Sequence, residues 1–520
     1  DREVAVAARL ADLLAGLSRL ADLGFGLQAG EALRSCALAT RLARSLDLPE
    51  DDARAAFYTA LLHHVGCTGY AHETARLFGD ELVLNLAAGR TNPADPRDLF
   101  ATYLPTLTRG RPPLERARLA LTTLTRGNRF GEAYTTAACE VARDAARRLG
   151  LPEAVQRSVY HVFEEWRGGG VPAGLAGDDL PAGSRLARLT GIAVLFDTVG
   201  GAGLAAEAVR RRAGGLLDPW MAGWFAERAE ALLGEVNAGD PRALVLEAEP
   251  EPVVPVPERE LAGVAGVFAD LADLKTPFTH GHSSGVAALA RGAGERLRLP
   301  PATVADLELA GLLHDVGRVA VSDVVWEKPA ALSGHEREQV RLHAYHSERI
   351  LAGSERLAPL APLAGMHHER LDGGGYHRGC TGAELPVAAR VLATADAYQA
   401  MTQRRPHRPA LAPEDAERQL LAGARDGALD ADAVSAVLAA AGRGTVVVRQ
   451  ALPAGLSARE VEVLGLVADG CSNAQIAQRL VISRRTAEHH VQHIYTKIGV
   501  SSRAAAALFA MEHRLLGRDG

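Results

Sequence analysis

Seven residues in the middle of this 520-residue chain are of types that bind metal ions: His282, the adjacent pair His314 and Asp315, His343, the adjacent pair His367 and His368, and Asp396. Neutral imidazole and carboxylate are ligands of borderline and hard divalent ions, which suits iron, manganese, zinc, nickel or cobalt. His314 and Asp315 end the apolar run 307-LELAGLLHD-315, so both side chains are expected to emerge from a buried helix. Neighbouring helical residues point about 100° apart, and a carboxylate offers two oxygens. One aspartate in such a pair can bridge two ions while its neighbours bind one each. A binuclear centre of that kind activates water and clamps an in-line displacement at phosphorus. His280, His335, His346, His377 and His407 share this stretch and are read as surface or core histidines, the usual fate of a single histidine in a helical protein.

A second group of active residue types lies near the C-terminal end. Ser457 with Glu460 three residues later forms a capping box, and Val461, Leu464 and Val467 come after it at helical spacing. Gly470 stops that helix. Ser472 and Asn473 open the next one, which turns Ile476, Ala477 and Leu480 inward. Ser483 then caps a helix carrying Arg484, Arg485, His489, His490, Gln492, His493 and Lys497. Two short helices joined by a tight turn, the second polar and basic, is the layout of a helix-turn-helix. Between 456 and 518 there are eight Arg or Lys against five Asp or Glu, so this end is basic on a chain of net charge −6. The overall charge argues against nucleic-acid binding by the whole surface and confines it to this module.

The elements that must position these residues are helical. Most of the sequence is rich in Ala, Leu, Arg and Glu, with apolar residues at helical spacing. The chain is 48% hydrophobic and 23% charged, the balance of a globular protein long enough for about three domains. Only three of its 57 basic residues are lysine, a skew that resembles a high-GC bacterial genome. Cys36, Cys67, Cys139, Cys380 and Cys471 form no CxxC pair, which excludes a disulfide scaffold and a cysteine zinc knuckle and suggests a reducing compartment. Arginine or glutamate interrupts every long apolar stretch and no signal peptide is evident, so a cytoplasmic protein with no membrane partner is expected.

The acidic, proline-rich stretch 247-EAEPEPVVPVPE-258 reads as an extended, semi-rigid linker. A second boundary lies at 443–455, where helical periodicity gives way to a β-branched run. The expected units are therefore 1–246, 259–442 and 456–520. The first two are related by an internal repeat. The segment 299-LPPATVADLELAGLLHDVGR-318 aligns without a gap on 48-LPEDDARAAFYTALLHHVGC-67, and 373-GGGYHRGCTGAELPVAAR-390 aligns on 168-GGGVPAGLAGDDLPAGSR-185. In the first copy Glu31 stands opposite His282, His63 opposite His314 and His64 opposite Asp315. Val162 and Phe163 replace the paired histidines, and Gly191 or a near neighbour replaces Asp396. The bridging carboxylate is gone, so the first copy is expected to keep the fold without the metals. It is then a scaffold, or a domain that senses a ligand or packs on the active copy.

The middle unit resembles the HD-GYP phosphohydrolases of the HD superfamily, through 279-THGHSSGV-286, 314-HDVGR-318, 343-HAYHSERIL-351, 367-HHERLDGGGYH-377 and 394-TADAYQAMTQRRPHRPA-410. The resemblance implies that His282, His314, Asp315, His343, His367, His368 and Asp396 hold two divalent ions, iron or manganese, with Asp315 as the bridge. Some members bind a third ion through an acid one turn before the first histidine, but that position is Phe278 here. The family's lysine after the HD pair is Arg318, which keeps the charge and is expected to stabilise a substrate phosphate. The name-giving Gly-Tyr-Pro is Gly375, Tyr376 and His377. The implied substrate is cyclic di-GMP or a related nucleotide second messenger.

The C-terminal unit resembles the LuxR-type helix-turn-helix domain, through LSAREVEVL, SNAQIAQRL, ISRRTAEHHV and IGVSSRAAA. That implies four helices binding DNA as a homodimer. Glu488, His489 and Gln492 would face the major groove, while Arg484, Arg485, Thr486, Lys497 and Arg503 would hold phosphates. The expected whole is an all-α protein of tandem HD bundles, the first degenerate, followed by a LuxR-type head. Its expected function is that of a bacterial transcriptional regulator with phosphodiesterase activity, Asp315 and Arg318 taking the catalytic roles. The rival is a transcription factor that senses a nucleotide or metal without hydrolysis.

Overall fold

The structure is a computed structural model that describes residues 6–93, 95–444, 453–513 and 515. Helices dominate it, as the Ala- and Leu-rich periodicity requires. One two-stranded antiparallel ribbon joins β1 (Val6–Arg9) to β2 (Pro255–Pro257). The β-branched run expected at 443–455 falls largely on 445–452, outside the described residues.

The repeat is visible in the helix starts. Three successive helices begin at Leu10, Glu31 and Glu50, and three more at Leu261, His282 and Pro301; each pair is 251 positions apart (261 − 10, 282 − 31, 301 − 50). Both third helices end in a 3-10 turn, Val65–Tyr70 and Val316–Ala320. Their starts obey local rules: Glu50, Asp51 and Asp52 oppose the helix dipole in one, and Pro301 occupies the first turn of the other. Beyond that turn the two copies diverge. From His63 to Val162 is 99 positions, whereas from His314 to His367 is 53, so the first copy carries an insertion. It includes Ala71–Phe78, Glu81–Arg90 and the first half of the long helix Pro113–Arg148, closed over a small cluster of Phe78, Leu84, Leu107 and Leu119.

The two copies share one hydrophobic core. Leu10, Leu13, Leu14 and Leu17 of the first belong to the same cluster as Leu271, Leu313, Val316 and Ile350 of the second. The contact is reciprocal: Leu10–Phe25 packs on the Val316–Ala320 turn, and Leu261–Asp273 packs on Val65–Tyr70. Such a two-way match is the signature of an isologous interface. At its tightest point a Cβ on Gly16 would lie 2.9 Å from the Ser354 backbone nitrogen, so only glycine permits the approach.

The stretch 247–258 is anchored along its length instead of standing free. The helix Pro241–Ala248 runs into it, the buried Glu249 accepts from the Tyr58 hydroxyl at 3.3 Å, and β2 is paired to β1. The physical reason is that Val256 and the Glu249 carboxylate find buried partners, which a composition rule cannot show. The helix Ala182–Arg210 is long and apolar enough to cross a membrane, yet Leu186, Ala187, Leu189 and Ala193 bury one side of it in the shared core, and its backbone breaks at Gly200 and Gly201.

A second cluster, including Val286, Leu307, Val391, Leu420 and Val434, fills the second copy behind the histidines. The C-terminal head has its own core of Leu456, Val463, Leu464, Ile476, Val491 and Ile494. Its helices Ala458–Ala468, Asn473–Arg479 and Arg484–Ile498 start at Ser457, Ser472 and Ser483, the first two with complete capping boxes. A fourth helix, Arg503–Glu512, packs on the first.

Candidate metal centre and nucleic-acid interface

Each metal-type residue is delivered by the end or inner face of a helix. His282 is the first residue of its helix, after Gly281 in a left-handed conformation, and His314 and Asp315 come directly after the buried Pro301–Leu313. His343 projects from Gly334–Leu351, His367 and His368 lie just past the short Ala361–Gly365, and Asp396 lies inside Val387–Thr402. All seven converge.

Asp315 is the centre of the group. Its Oδ1 lies 3.2 Å from His343 Nε2 and 3.6 Å from His367 Nε2. Its Oδ2 lies 3.5 Å from His314 Nε2, 3.6 Å from His282 Nε2 and 3.3 Å from an Arg318 nitrogen. Asp396 closes the ring with Oδ1 3.1 Å from His282 Nε2 and Oδ2 3.5 Å from His368 Nδ1. Two sets of donors result, His282 with His314 and Asp315 on one side and His343 with His367 and His368 on the other.

The imidazoles are held by their outer nitrogens. His314 Nδ1 donates to the Gly311 carbonyl at 2.8 Å, His367 Nδ1 to Ala364 at 2.6 Å, and His343 Nδ1 to Val340. His282 Nδ1 donates to Gln403 Oε1 at 2.9 Å. These bonds fix the tautomer and leave the Nε2 lone pairs facing one another. His343 Nε2 and His367 Nε2 are 3.0 Å apart, and the buried His314 Nε2 and Asp315 Oδ1 have no hydrogen-bond partner. Buried acceptors with no donor are costly unless a cation lies between them, so the set fits a pair of divalent ions. Burial pushes the His314 imidazole down to about 4, which favours the ligating neutral form. Burial would raise the Asp315 carboxyl, but His314, Arg318, His343 and His367 hold it well below the ordinary range. It is an anion, the state a carboxylate shared by two cations would need.

Around the centre stand groups of mixed legibility. Arg318 stacks on the Trp326 ring, its guanidinium carbon 3.8 Å from the centroid. Tyr376 lies over His368 at 4.6 Å, whereas His377 turns away to Glu348 at 3.5 Å. Phe278 presents an aromatic ring beneath Arg404 and offers no ligand. Sequence reasoning misses Gln403 and Arg405, the latter donating to the Phe278 carbonyl at 3.1 Å, although both lie within 394-TADAYQAMTQRRPHRPA-410. Their only signal is position, one and three residues beyond the helix that carries Asp396.

The corresponding place in the first copy is filled with rings. His63 and His64 stack at 4.1 Å, between Phe25 4.0 Å from His64 and Phe163 5.4 Å from His63. A Cβ on Gly191 would meet the His63 ring at 3.0 Å, so Gly191 occupies the place of Asp396. Among the described residues no three metal-type donors meet in this copy. Burial, with the Arg188 cation close by, pushes His64 down to about 3.

On the head, Arg484, Arg485, Thr486, Glu488, His489 and Gln492 form one exposed face of the helix Arg484–Ile498. Lys497 and Arg503 are engaged internally. Lys497 Nζ donates to Glu460 at 2.7 Å and to the Gly455 carbonyl at 2.9 Å. Arg503 donates to the Cys471 carbonyl and the Asn473 side chain, both at 2.5 Å. His493 also binds Glu460, at 2.7 Å.

Comparison with known proteins gives these two sites their families. Residues 266–433 match the HD domain, and residues 454–510 match the bacterial regulatory proteins of the luxR family. The chain joins an HD domain to a LuxR-family helix-turn-helix. Over 405 residues, 77% of its length, it is 28% identical to the 3'3'-cGAMP-specific phosphodiesterase 3 of Vibrio cholerae, spanning 88% of that protein. A crystal structure of a cyclic GMP-AMP specific phosphodiesterase of V. cholerae covers 84% of this chain with a TM-score of 0.58 and 25% identity. A cyclic di-GMP phosphodiesterase of Pseudomonas aeruginosa is 38% identical over 141 residues, 26% of this chain and 34% of that protein. The match to the first relative is too long for the HD domain alone, so it takes in much of the degenerate copy. The LuxR-family domain supplies what a transcription regulator needs to meet DNA.

Proposed function

We propose that this chain is a DNA-binding regulator whose HD domain, at 259–442, hydrolyses a cyclic dinucleotide with the help of two divalent ions, iron or manganese. The observation that carries the reading is Asp315, whose two oxygens face separate histidine groups across a buried centre. When bound there, the ions would supply Lewis acidity and an activated water for in-line attack at phosphorus. The chain's own residues do the rest. Asp315 and Asp396 provide the negative charge that holds dications, and the backbone carbonyls of Gly311, Val340 and Ala364 keep three imidazoles aimed inward. Arg318 places a fixed positive charge 3.3 Å from Asp315, at the rim where a phosphate would enter. Tyr376 offers a flat face beside His368 for a base or ribose. The V. cholerae and P. aeruginosa relatives, named for cyclic GMP-AMP and cyclic di-GMP, support cyclic dinucleotides as the substrate class.

The head would bind DNA as a homodimer through the exposed face from Arg484 to Gln492. A second reading, a sensor without turnover, has one observation behind it. Arg318 already spends its charge on Asp315 and its face on Trp326, so a phosphate must compete for it. Incubating the manganese-loaded full chain with cyclic di-GMP and with 3'3'-cGAMP separates the two. Conversion of either to a linear dinucleotide supports the enzyme; binding of either without conversion supports the sensor.

A further inference from the structure

The helix Asp323–Trp326, which forms the wall beside Arg318, has only four residues. A single turn fixes several backbone angles for very few hydrogen bonds, so its placement must come from outside contacts. Arg318 depends on that placement twice. Trp326 Nε1 donates to the Arg318 carbonyl at 3.1 Å, and the Trp326 ring lies 3.8 Å from the guanidinium carbon. The same ring meets the His343 imidazole edge-on at 5.5 Å. Whatever steers this helix therefore steers the cation at the rim of the candidate metal centre.

Both ends of the helix are held from the first copy. At its start, the buried Glu81 accepts from the Ser322 hydroxyl and the Asp323 backbone. Beyond its end stands Glu327, next to Trp326 in the chain. His72 Nδ1 lies 2.6 and 2.7 Å from the two oxygens of Glu327, and the Thr276 hydroxyl donates to it at 2.7 Å. A ring nitrogen facing two carboxylate oxygens must carry the proton, so His72 is the donor. The pair is largely enclosed, with the His72 and Glu327 side chains 21% and 13% exposed, so little water competes for it. His72 belongs to the helix Ala71–Phe78, which packs on Asp323–Trp326 and lies in the insertion. Only the first copy carries that insertion. The contact therefore runs one way, from the copy whose metal-type donors are gone to the copy that has them.

We propose that His72 is a positioning residue for the substrate phosphate: by holding Glu327 it fixes Trp326, and through Trp326 the Arg318 guanidinium. This rests on the reading of the HD domain as a phosphodiesterase. It gives the first copy a part in catalysis that needs no metal or ligand of its own. Arg318 sits between Asp315, at 3.3 Å, and the Trp326 ring. Releasing the ring lets the guanidinium turn onto the carboxylate and away from an entering phosphate. His72 touches neither the metal-type residues nor the space between them, so the chemistry there stays intact. An interaction that grips the phosphate alike before and during reaction acts on KM and leaves kcat in place.

Two variants of the full chain test this: His72→Ala removes the donor, and His72→Asn puts an amide N–H where Nδ1 stood. Hydrogen exchange without nucleotide reads the clamp directly, at the Trp326 and Glu327 amides that bond to the Ser322 and Asp323 carbonyls. His72→Ala is expected to exchange about fivefold faster there, with His72→Asn near wild type and the helix Pro301–Leu313 unchanged. Kinetics of the manganese-loaded chain on a cyclic dinucleotide read the consequence. KM should rise about fivefold in His72→Ala and return in His72→Asn, with kcat within about twofold and metal content unchanged. Unaltered exchange in His72→Ala overturns the clamp. Faster exchange with an unaltered KM, or a loss that falls on kcat or metal content instead, overturns the positioning role. A wild type that converts no cyclic dinucleotide removes the phosphodiesterase reading. The comparison then passes to the dissociation constant for cyclic di-GMP, where equal values for wild type and His72→Ala overturn the proposal.

Discussion

Asp315 faces two sets of imidazoles, and Gly311, Val340, Ala364 and Gln403 hold four of those rings in place. Removing the bridge should therefore empty both positions, whereas loosening one ring should weaken only one. Asp315→Ala is expected to abolish metal binding in elemental analysis of the purified chain, where wild type should hold two ions. Gln403→Leu, which leaves the His282 imidazole without its outer partner, should retain the metals with about 10–100-fold weaker affinity at one position, read by competition with a chelator. Full occupancy of Asp315→Ala would rule out the bridging arrangement. The convergence of the seven candidate ligands was legible because their types, and for five of them a position at a helix end, are local facts. Gln403 and Arg405 were not, since their contacts arise only when the segment after Thr402 folds back on the centre. Lys497 and Arg503 mark the same limit from the other side. A long cation near a recognition helix looks like a phosphate anchor until Glu460 and the Cys471 and Gly455 carbonyls are seen to hold it.

At the scale of elements, the helix Glu81–Arg90 of the insertion braces the wall of the candidate metal centre. The buried Glu81 accepts from Lys275 Nζ at 2.7 Å, the Ser322 hydroxyl at 2.7 Å and the Asp323 backbone at 2.9 Å. Ser322 and Asp323 start the helix Asp323–Trp326, whose Trp326 carries Arg318. Removing Glu81 leaves the buried Lys275 only the Asp323 carboxylate, 3.9 Å away, and takes the acceptor from the Ser322 hydroxyl and the Asp323 N–H, so Glu81→Ala should cost about 3–5 kcal/mol in urea unfolding. A loss below ~1 kcal/mol, the level of a surface pair, would contradict the burial. In the head, burial alone would raise Glu460, yet Lys497, Ser457 and His493 bring it down to about 2 from an ordinary 4.5. A carboxyl lowered in the folded state contributes stability above its unfolded value and loses it as pH falls through the folded one. The head should therefore lose stability between about pH 4.5 and pH 2, and Glu460→Gln, already lacking that contribution at neutral pH, should show a flatter profile in thermal melts. On the exposed face, Arg485→Ala should weaken binding across DNA sequences and reduce the salt slope by about one unit. Unchanged affinity in a gel-shift titration would remove Arg485 from the interface.

For the whole molecule, the duplication explains more than the ancestry of the fold. The first copy kept its helix starts, 251 positions from those of the second, and carries at position 16, opposite Val267 of the second, the glycine that lets the copies meet. It exchanged ligands for rings: Phe163 fills the place of a histidine and Gly191 that of Asp396. The tandem order was legible because matched blocks repeat without gaps. The single shared core was not, because a helix pattern records which face is apolar and not which neighbour covers it. The stretch 247–258 shows this plainly, its proline-rich composition reading as a tether while β2 and Glu249 tie it into the first copy. In the proposed division of labour the second copy is the chemical centre, the first its brace and the head its DNA contact. The most direct test is turnover of 3'3'-cGAMP and cyclic di-GMP by the manganese- or iron-loaded full chain, compared with Asp315→Ala and followed by chromatography of the products. A linear dinucleotide is predicted from at least one substrate with wild type and none with the variant. A wild-type chain that holds two ions yet leaves every cyclic dinucleotide intact would contradict the proposed hydrolysis.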